Sequence, residues 1–170
     1  MLKNELFFEK TPLSAIGSYA KRMNDELKGG EIGYYHLPEI GANLLSEIAE
    51  FETTLAHVKS VVLVGIGGSS LGVKALKTML SGAKRSRERE LYFFDNVDAF
   101  SFESVCESIK FNETLFIISS KSGTTIETIT LFKCILERFK PSNLSANFIV
   151  ITDPASPLEA YAKHNGIKFF

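Results

Sequence analysis

The stretch Val61-Val62-Leu63-Val64-Gly65-Ile66-Gly67-Gly68-Ser69-Ser70-Leu71-Gly72 decides the fold, because a wholly apolar run breaks at once into glycines and serines and then resumes as an amphipathic segment. A strand with one wet face alternates apolar and polar side chains. Val61 to Val64 instead offers apolar groups to both faces, as a strand of a parallel sheet covered on both sides does. Three later runs repeat this character, Leu91-Tyr92-Phe93-Phe94, Leu115-Phe116-Ile117-Ile118 and Phe148-Ile149-Val150-Ile151, and Ile167-Lys168-Phe169-Phe170 is a shorter fifth. Segments with helical spacing fill the intervals at 71–80, 98–110, 124–139 and 157–164. Strand, helix, strand repeated in this way predicts an α/β fold: a doubly wound parallel sheet of about five strands flanked by helices, with right-handed crossovers.

Two helices are expected ahead of the sheet. Thr11-Pro12 supplies an N-cap and a proline for the first helical position, Leu13, Ile16, Ala20, Met23 and Leu27 form one apolar stripe, and Gly29-Gly30 closes the segment. A turn-rich stretch from Gly30 to Gly33 and then Pro38 precedes a second stripe, Ile40, Leu44, Ile48, Phe51 and Leu55. Neither stripe carries a chemical motif, so residues 1–58 are expected to be a helical segment packing on the sheet of residues 59–170.

Composition bounds the function. The chain has 170 residues, 45% hydrophobic and 23% charged, and 19 Lys plus Arg against 20 Asp plus Glu give a net charge of -1. Such a balance lacks the basic excess of a bulk nucleic-acid binder. No apolar run approaches the ~18 residues of a membrane-spanning helix. The start, Met1-Leu2-Lys3-Asn4-Glu5, carries an acid early and lacks the apolar core of a signal peptide. Two cysteines are too few for a disulfide scaffold, which points to the reducing cytoplasm. Cys106 and Cys134 fall on apolar faces of the expected helices and are read as buried, inert thiols. His36, His57 and His164 have no metal-ligand spacing, and His164-Asn165-Gly166 reads as a helix end with a left-handed stop. Arg85 to Glu90 is a mixed-sign run expected in a solvated turn, and Asp153-Pro154 is a turn to which no chemistry is assigned, although Asp153 is also a possible cap for the next helix.

Two loops carry chemistry. In a doubly wound sheet, ligands bind beyond the carboxyl ends of the strands. Gly65 to Gly72 follows the first strand, and its glycines let backbone approach a ligand while Ser69 and Ser70 add hydroxyls. Ser119-Ser120-Lys121-Ser122-Gly123-Thr124-Thr125 follows the third strand and holds five hydroxyls, one ammonium and one glycine in seven residues before opening a helix. A phosphate dianion needs several donors and positive charge, and each hydrogen bond to a charged group contributes roughly 1.5–3 kcal/mol. The positive helix end adds roughly 0.3–1 kcal/mol. A glycine loop also serves tight strand-to-helix packing, and Thr124 or Thr125 also serves as a cap. A dinucleotide fingerprint starting at Gly65 would need glycine where Ser70 stands, although Asp95 sits where a ribose-binding acid belongs; the mononucleotide pattern starting at Gly67 reaches Gly72 and then meets Val73.

The two loops together, Val64 to Gly72 and Ser119 to Thr128, closely resemble the glucose-6-phosphate isomerases, a family of the sugar isomerase (SIS) fold. The resemblance runs over essentially the whole chain and implies a SIS-type sheet, with residues 59–170 as the first SIS domain and the second SIS domain absent. It places sugar-phosphate binding on Gly68 and Ser69 of the first loop and on Ser120, Lys121, Ser122, Gly123, Thr124 and Thr125 of the second, with Glu127 organising the site. Larger family members often have Thr and an aromatic at the positions of Ser122 and Gly123, and the Ser-Gly form resembles the shorter bacterial branch. The implied reaction interconverts glucose 6-phosphate and fructose 6-phosphate through an enediol, in glycolysis and gluconeogenesis, in the cytoplasm. In the family the glutamate base, the ring-opening histidine, an arginine and a lysine lie downstream, so the resemblance implies no catalytic residue within residues 1–170 and negligible isomerase activity of this fragment alone. It further implies a homodimer for the full-length enzyme, no cofactor, and neither nucleic-acid nor membrane partners. Another SIS-domain phosphosugar isomerase, the isomerase half of an amidotransferase or a sugar-phosphate-sensing regulator fits the same loops. A nicotinamide-dependent oxidoreductase accounts for the first loop only.

Overall fold

A parallel sheet of order β2-β1-β3-β4-β5 carries the two loops. The strands are β1 (Ser60–Val64), β2 (Glu90–Phe94), β3 (Thr114–Ser119), β4 (Phe148–Ile151) and β5 (Lys168–Phe169). The computed structural model describes residues 13–29, 36–81 and 89–170. The expected Thr11-Pro12 cap, the turn at Gly30–Gly33 and residues 85–88 of the mixed-sign run lie outside the described residues. The chain divides into two units, Met1–Thr54 and Leu55–Phe170.

The first unit contributes α1 (Leu13–Gly29) and α2 (Leu37–Thr53). Helix α2 starts earlier than its apolar stripe suggests. Pro38 falls in its first turn, where a missing N–H and a fixed φ cost nothing, and not in the preceding turn. Ile16, Met23 and Leu27 of α1 and Ile48 of α2 are exposed.

In the second unit, β1 pairs with β2 on one side and β3 on the other, with Val64 level with both Phe94 and Ile118. The connecting helices are α3 (Gly68–Met79), α4 (Ala99–Ser108), α5 (Ile126–Phe139) and α6 (Pro157–His164). The step from β1 to β2 runs opposite to the three later steps. Right-handed crossovers therefore put α3 on one face and α4, α5 and α6 on the other. Packing agrees: Val62, Val64, Phe116, Ile118, Phe148 and Val150 form one cluster with Cys106 of α4, Leu131, Phe132 and Ile135 of α5, and Leu158 and Ala162 of α6. On the opposite face, Lys74 and Lys77 of α3 lie over the Phe93 ring. The core is aromatic-rich, with Phe116 stacked on Phe148 at 5.1 Å and Phe111 on Phe139 at 5.1 Å between ring centroids. Buried Asn147 holds the start of β3, its Nδ2 donating to the Phe111 and Thr114 carbonyls at 2.9 and 2.8 Å.

Element ends depart from the sequence reading where polar groups compete for the backbone. Helix α3 begins at Gly68 and not Leu71, so the glycine-rich stretch is helix from Gly68 onward. Helix α5 begins at Ile126 and not Thr124, because hydroxyls hold Ser120–Thr125 out of the helix. Helix α4 is capped by Asp98, which accepts from the Ser101 amide at 2.7 Å, and stops at Ser108 because Ile109 turns extended and buries its side chain. Gly166, with φ of +65°, ends α6 as expected. Glu90 belongs to β2, and Arg89 donates to the Val58 and Leu55 carbonyls, so this end of the mixed-sign run is ordered structure and no solvated turn. Ser156, and not Asp153, caps α6.

The thiols separate. Cys106 is buried and Cys134 is exposed, which corrects the reading of both as buried. Burial pushes the Cys106 thiol up to about 11, with Glu103 adding to the rise and Arg138 opposing it. At pH 8 a maleimide or disulfide reagent is therefore expected to modify Cys134 alone in the folded chain and both cysteines in denaturant; immediate modification of two thiols in the folded chain contradicts this packing. Replacing the fully buried Phe116 by Ala removes the ring that contacts Phe111, Phe139 and Phe148 and is expected to cost about 3–5 kcal/mol in a denaturant titration.

Candidate functional site

The strand order reverses between β1 and β3, and the loops that leave those two strands are the glycine loop and the Ser-Lys-Ser loop. That reversal is where a doubly wound sheet opens a crevice, since the following helices diverge to opposite faces. Gly65 sets the spacing. A Cβ there would lie 2.8 Å from the Ser119 carbonyl oxygen and 2.8 Å from the Ser69 Cβ, closer than side chains pack. Only hydrogen at this position lets the two loops leave the sheet side by side.

From Gly65 the chain turns through Gly67, whose φ of +58° lies in the region that glycine favours, and enters α3 at Gly68. A Cβ on Gly67 or Gly68 would meet nothing within 4 Å, so this backbone faces open space. Gly68 is exposed and Ser69 half-buried. The Ser69 and Ser70 amides turn back to the Ile66 and Gly67 carbonyls at 3.2 and 3.1 Å. Gly68, at the first helical position, has an amide with no intrahelical acceptor. Ser70 is buried with its hydroxyl directed at the Gly67 carbonyl, so it shapes the turn from within.

The second loop is held by its own hydroxyls. The Ser120 Oγ donates to Thr125 Oγ1 at 3.0 Å, the Gly123 amide donates to the Ser120 carbonyl at 3.1 Å, and the Thr124 amide and hydroxyl donate to Ser122 Oγ at 3.2 and 3.0 Å. Ser120 and Gly123 are buried, while Lys121, Ser122 and Thr124 are exposed and Thr125 is half-buried. Ser122 Oγ accepts two bonds and Thr125 Oγ1 accepts one, so each retains its own proton to give outward. The Thr125 side chain makes no cap bond to α5, which leaves first-turn amides facing the loop with the positive end of a 14-residue helix behind them. Glu127 sits half-buried in that first turn.

Support for this loop comes from the segment between β4 and α6, to which the sequence analysis assigned no chemistry. The Asp153 amide and the Thr152 hydroxyl donate to the Lys121 carbonyl at 3.0 and 3.3 Å. Gly123, with φ of +66°, lies so close to α6 that a Cβ would stand 2.8 Å from Ser156 Oγ and 2.9 Å from Leu158 Cβ. Ser156 caps α6 by accepting from the Glu159 amide at 3.0 Å, and Glu159 accepts from the Ala155 amide at 2.8 Å. Lys163 and the Ala155 amide hold the Glu159 carboxyl below the usual carboxylate range. Only the isolated Ser-Pro at 156–157 hinted at this cap. Thr128 is fully buried and its hydroxyl has no partner among the described residues.

An apolar groove of about 660 Å³ between α5 and α6 reaches Gly123 and Thr124, lined mainly by Ile129, Phe132, Leu136, Leu158 and Tyr161. Thr124, Thr130 and Lys133 are the polar members of its lining. Asp95, weighed for a ribose, pairs with Lys74. Among the described residues no group of three His, Cys, Asp or Glu is placed to hold a metal, and no helix is long and apolar enough to cross a membrane.

Comparison with known proteins gives one consistent answer. The family model of phosphoglucose isomerase matches residues 48–156. The glucose-6-phosphate isomerase of Campylobacter jejuni is 48% identical over the whole of this chain, which covers 42% of that protein. The glucose-6-phosphate isomerase of Carboxydothermus hydrogenoformans is 32% identical over 87% of this chain and 34% of its own length. Among solved structures, a hypothetical protein of Thermus thermophilus superposes with a TM-score of 0.79 at 28% identity, over 93% of this chain and 39% of that one. A glucose-6-phosphate isomerase of Chlamydia trachomatis gives 0.66 at 29% identity, over 73% of this chain and 24% of its own. The chain thus spans less than half the length of the relatives it matches. With a family match over more than half its residues, and with both loops at the one reversal of its sheet, the chain belongs to the phosphoglucose isomerase family.

Proposed function

We propose that this chain is the N-terminal, sugar-phosphate-binding part of a glucose-6-phosphate isomerase, which interconverts glucose 6-phosphate and fructose 6-phosphate through an enediol. The observation that carries the reading is the second loop: Ser122 and Thr125 keep hydroxyl protons to give, beside the exposed Lys121 and the start of α5, on the strand next to the one that carries the glycine loop. The phosphate occupies this loop, with Lys121, Ser122, Thr124 and Thr125 around it, and Gly68 and Ser69 flank the sugar. Ser120 and Gly123 act from beneath, since the one spends its hydroxyl on Thr125 and the other seats the loop on α6. Glu127 organises the start of α5. We assign ring opening and proton transfer to no residue of 1–170; those steps belong to the remainder of a full-length enzyme, working as a homodimer in the cytoplasm, in glycolysis and gluconeogenesis.

The first test is the melting temperature of the chain with fructose 6-phosphate, with NAD alongside. At roughly a hundredfold excess over Kd, a ligand bound only to the folded state stabilises by about 2.7 kcal/mol, a shift of about 5–10 °C for a domain of this size. We expect the shift with the sugar phosphate and none with NAD; a shift with NAD alone overturns the reading. Lys121→Ala removes a charge-assisted contact and is expected to weaken binding about 10- to 100-fold, and Ser122→Ala about tenfold, both with little change in the unliganded melting temperature. A coupled assay of the chain alone is expected to show no turnover above background, because loss of a general base by itself costs about 10²–10⁴-fold. Measurable isomerisation by residues 1–170 contradicts the assignment of chemistry elsewhere.

A further inference from the structure

Beside the glycine loop lies a carboxylate that an anion site would be better without. Asp95 directly follows β2, and the Gly65 amide donates to the carbonyl of its neighbour Phe94 at 3.1 Å, so Asp95 stands at the ligand edge of the sheet next to the first loop. Its side chain is only 25% exposed. Facing it is Lys74, on α3. Helical side chains lean toward the N-terminus of their helix, and Lys74 follows that rule, carrying its ammonium over the Phe93 ring, 5.2 Å from the centroid, to the Asp95 carboxylate. Lys77, one turn further on, lies over the same ring at 5.6 Å and donates to the Leu91 carbonyl at 2.8 Å. The two lysines straddle Phe93 and lock α3 along β2.

We infer that Lys74 is a positioning residue for the first loop: by pairing with Asp95 it fixes the start of α3 and cancels a negative charge that would otherwise face an anionic ligand. The inference rests on the reading of both loops as a sugar-phosphate site. Lys74 itself does not touch the ligand. Its charge is spent on Asp95, and its contribution is the absence of repulsion together with the aim of the Gly67–Ser69 backbone.

A double-mutant cycle read by fructose 6-phosphate titration decides this. Lys74→Met leaves a bare carboxylate beside the loop and is expected to weaken binding about fivefold, the effect of one uncompensated charge at a partly wet edge. Asp95→Asn alone is expected to bind within about twofold of the parent chain, because the Lys74 ammonium still donates to the Asn side-chain oxygen, and Lys74→Met with Asp95→Asn to recover part of the lost binding, since the bare charge is gone but the tie to α3 is not restored. Lys74→Arg should bind like the parent. Lys74→Gln replaces the methionine variant if that variant melts below the assay temperature. A double variant as weak as Lys74→Met means that the Asp95 charge plays no part in the loss, and Lys74→Met binding like the parent means that the pair is irrelevant; either result overturns the inference. If the parent chain shows no sugar-phosphate binding at all, the site reading has failed by itself. Amide exchange of the unliganded chain then still decides: faster exchange at Gly68–Ser70 in Lys74→Met than in the parent supports the positioning role, and equal exchange overturns it.

Discussion

The close approach of β1 and β3 at their carboxyl ends governs the rest of the molecule. Parallel pairing sets Val64 level with Ile118, and the next residue on β1 must pass the Ser119 carbonyl at a distance that no side chain allows. Gly65 satisfies that constraint. Because it does, the loops after two strands from different parts of the chain rise together, and their helices start within one crevice before parting to opposite faces of the sheet. A larger residue at Gly65 would force the strands apart or tilt the start of α3, and either change separates the donors of the two loops.

The second loop shows how a hydroxyl-rich segment is organised before a ligand arrives. Of its hydroxyls, those of buried Ser120 and exposed Thr124 are consumed in shaping the turn, while Ser122 and Thr125 are left with protons to give. Fixing these rotamers during folding lowers the ordering cost of binding, which is the source of gain from preorganisation. The loop does not stand alone. Its Lys121 carbonyl is held by the segment after β4, where Ala155 adopts φ of +60°, an uncomfortable value for a residue with a side chain, and is retained there by Glu159. Strain of this kind persists only where surrounding contacts over-determine it. Here they are the seat of Gly123 on Ser156 and Leu158.

Much of this was legible in the sequence, for reasons that also define where legibility stops. A strand buried on both faces must be apolar throughout, so the runs beginning at Val61, Leu91, Leu115 and Phe148 announced themselves, and so did the loops at their ends. Helix onsets were less visible. Gly68, Ser69 and Ser70 read as loop from composition but are helix, since glycine with no obstruction tolerates a first turn; Thr124 and Thr125 read as helix but are held back by side-chain bonds that depend on tertiary placement. Cys134 shows a second limit. Periodicity tells which residues share a helix face, and says nothing about whether an edge of that face is covered. Cys134 lies on the rim, beside the cleft between α4 and α5, while Leu131 and Ile135 occupy the centre. The backing of the second loop by Thr152, Asp153 and Ser156 was invisible because contacts some thirty residues apart leave no local signature.

Such a site suits the division of labour proposed for the chain. In a hexose 6-phosphate the charged handle sits at one end of the carbon chain and the proton moves at the other, between the first and second carbons. Groups that hold the phosphate do not take part in the proton transfer, and the energy they provide acts by fixing the reacting carbons against a base elsewhere. A rigid, donor-rich loop is what the handle requires, since a base that took up its donors would compete with the phosphate. Three acids at this edge are engaged: Asp95 by Lys74, Asp98 by the cap of α4, Glu159 by Lys163 and the Ala155 amide. With Asp95 paired to Lys74, the exposed ammonium and hydroxyl groups of the second loop suit the proposed role, in which a phosphate dianion anchors the sugar by one end and leaves the reactive end to the rest of the enzyme.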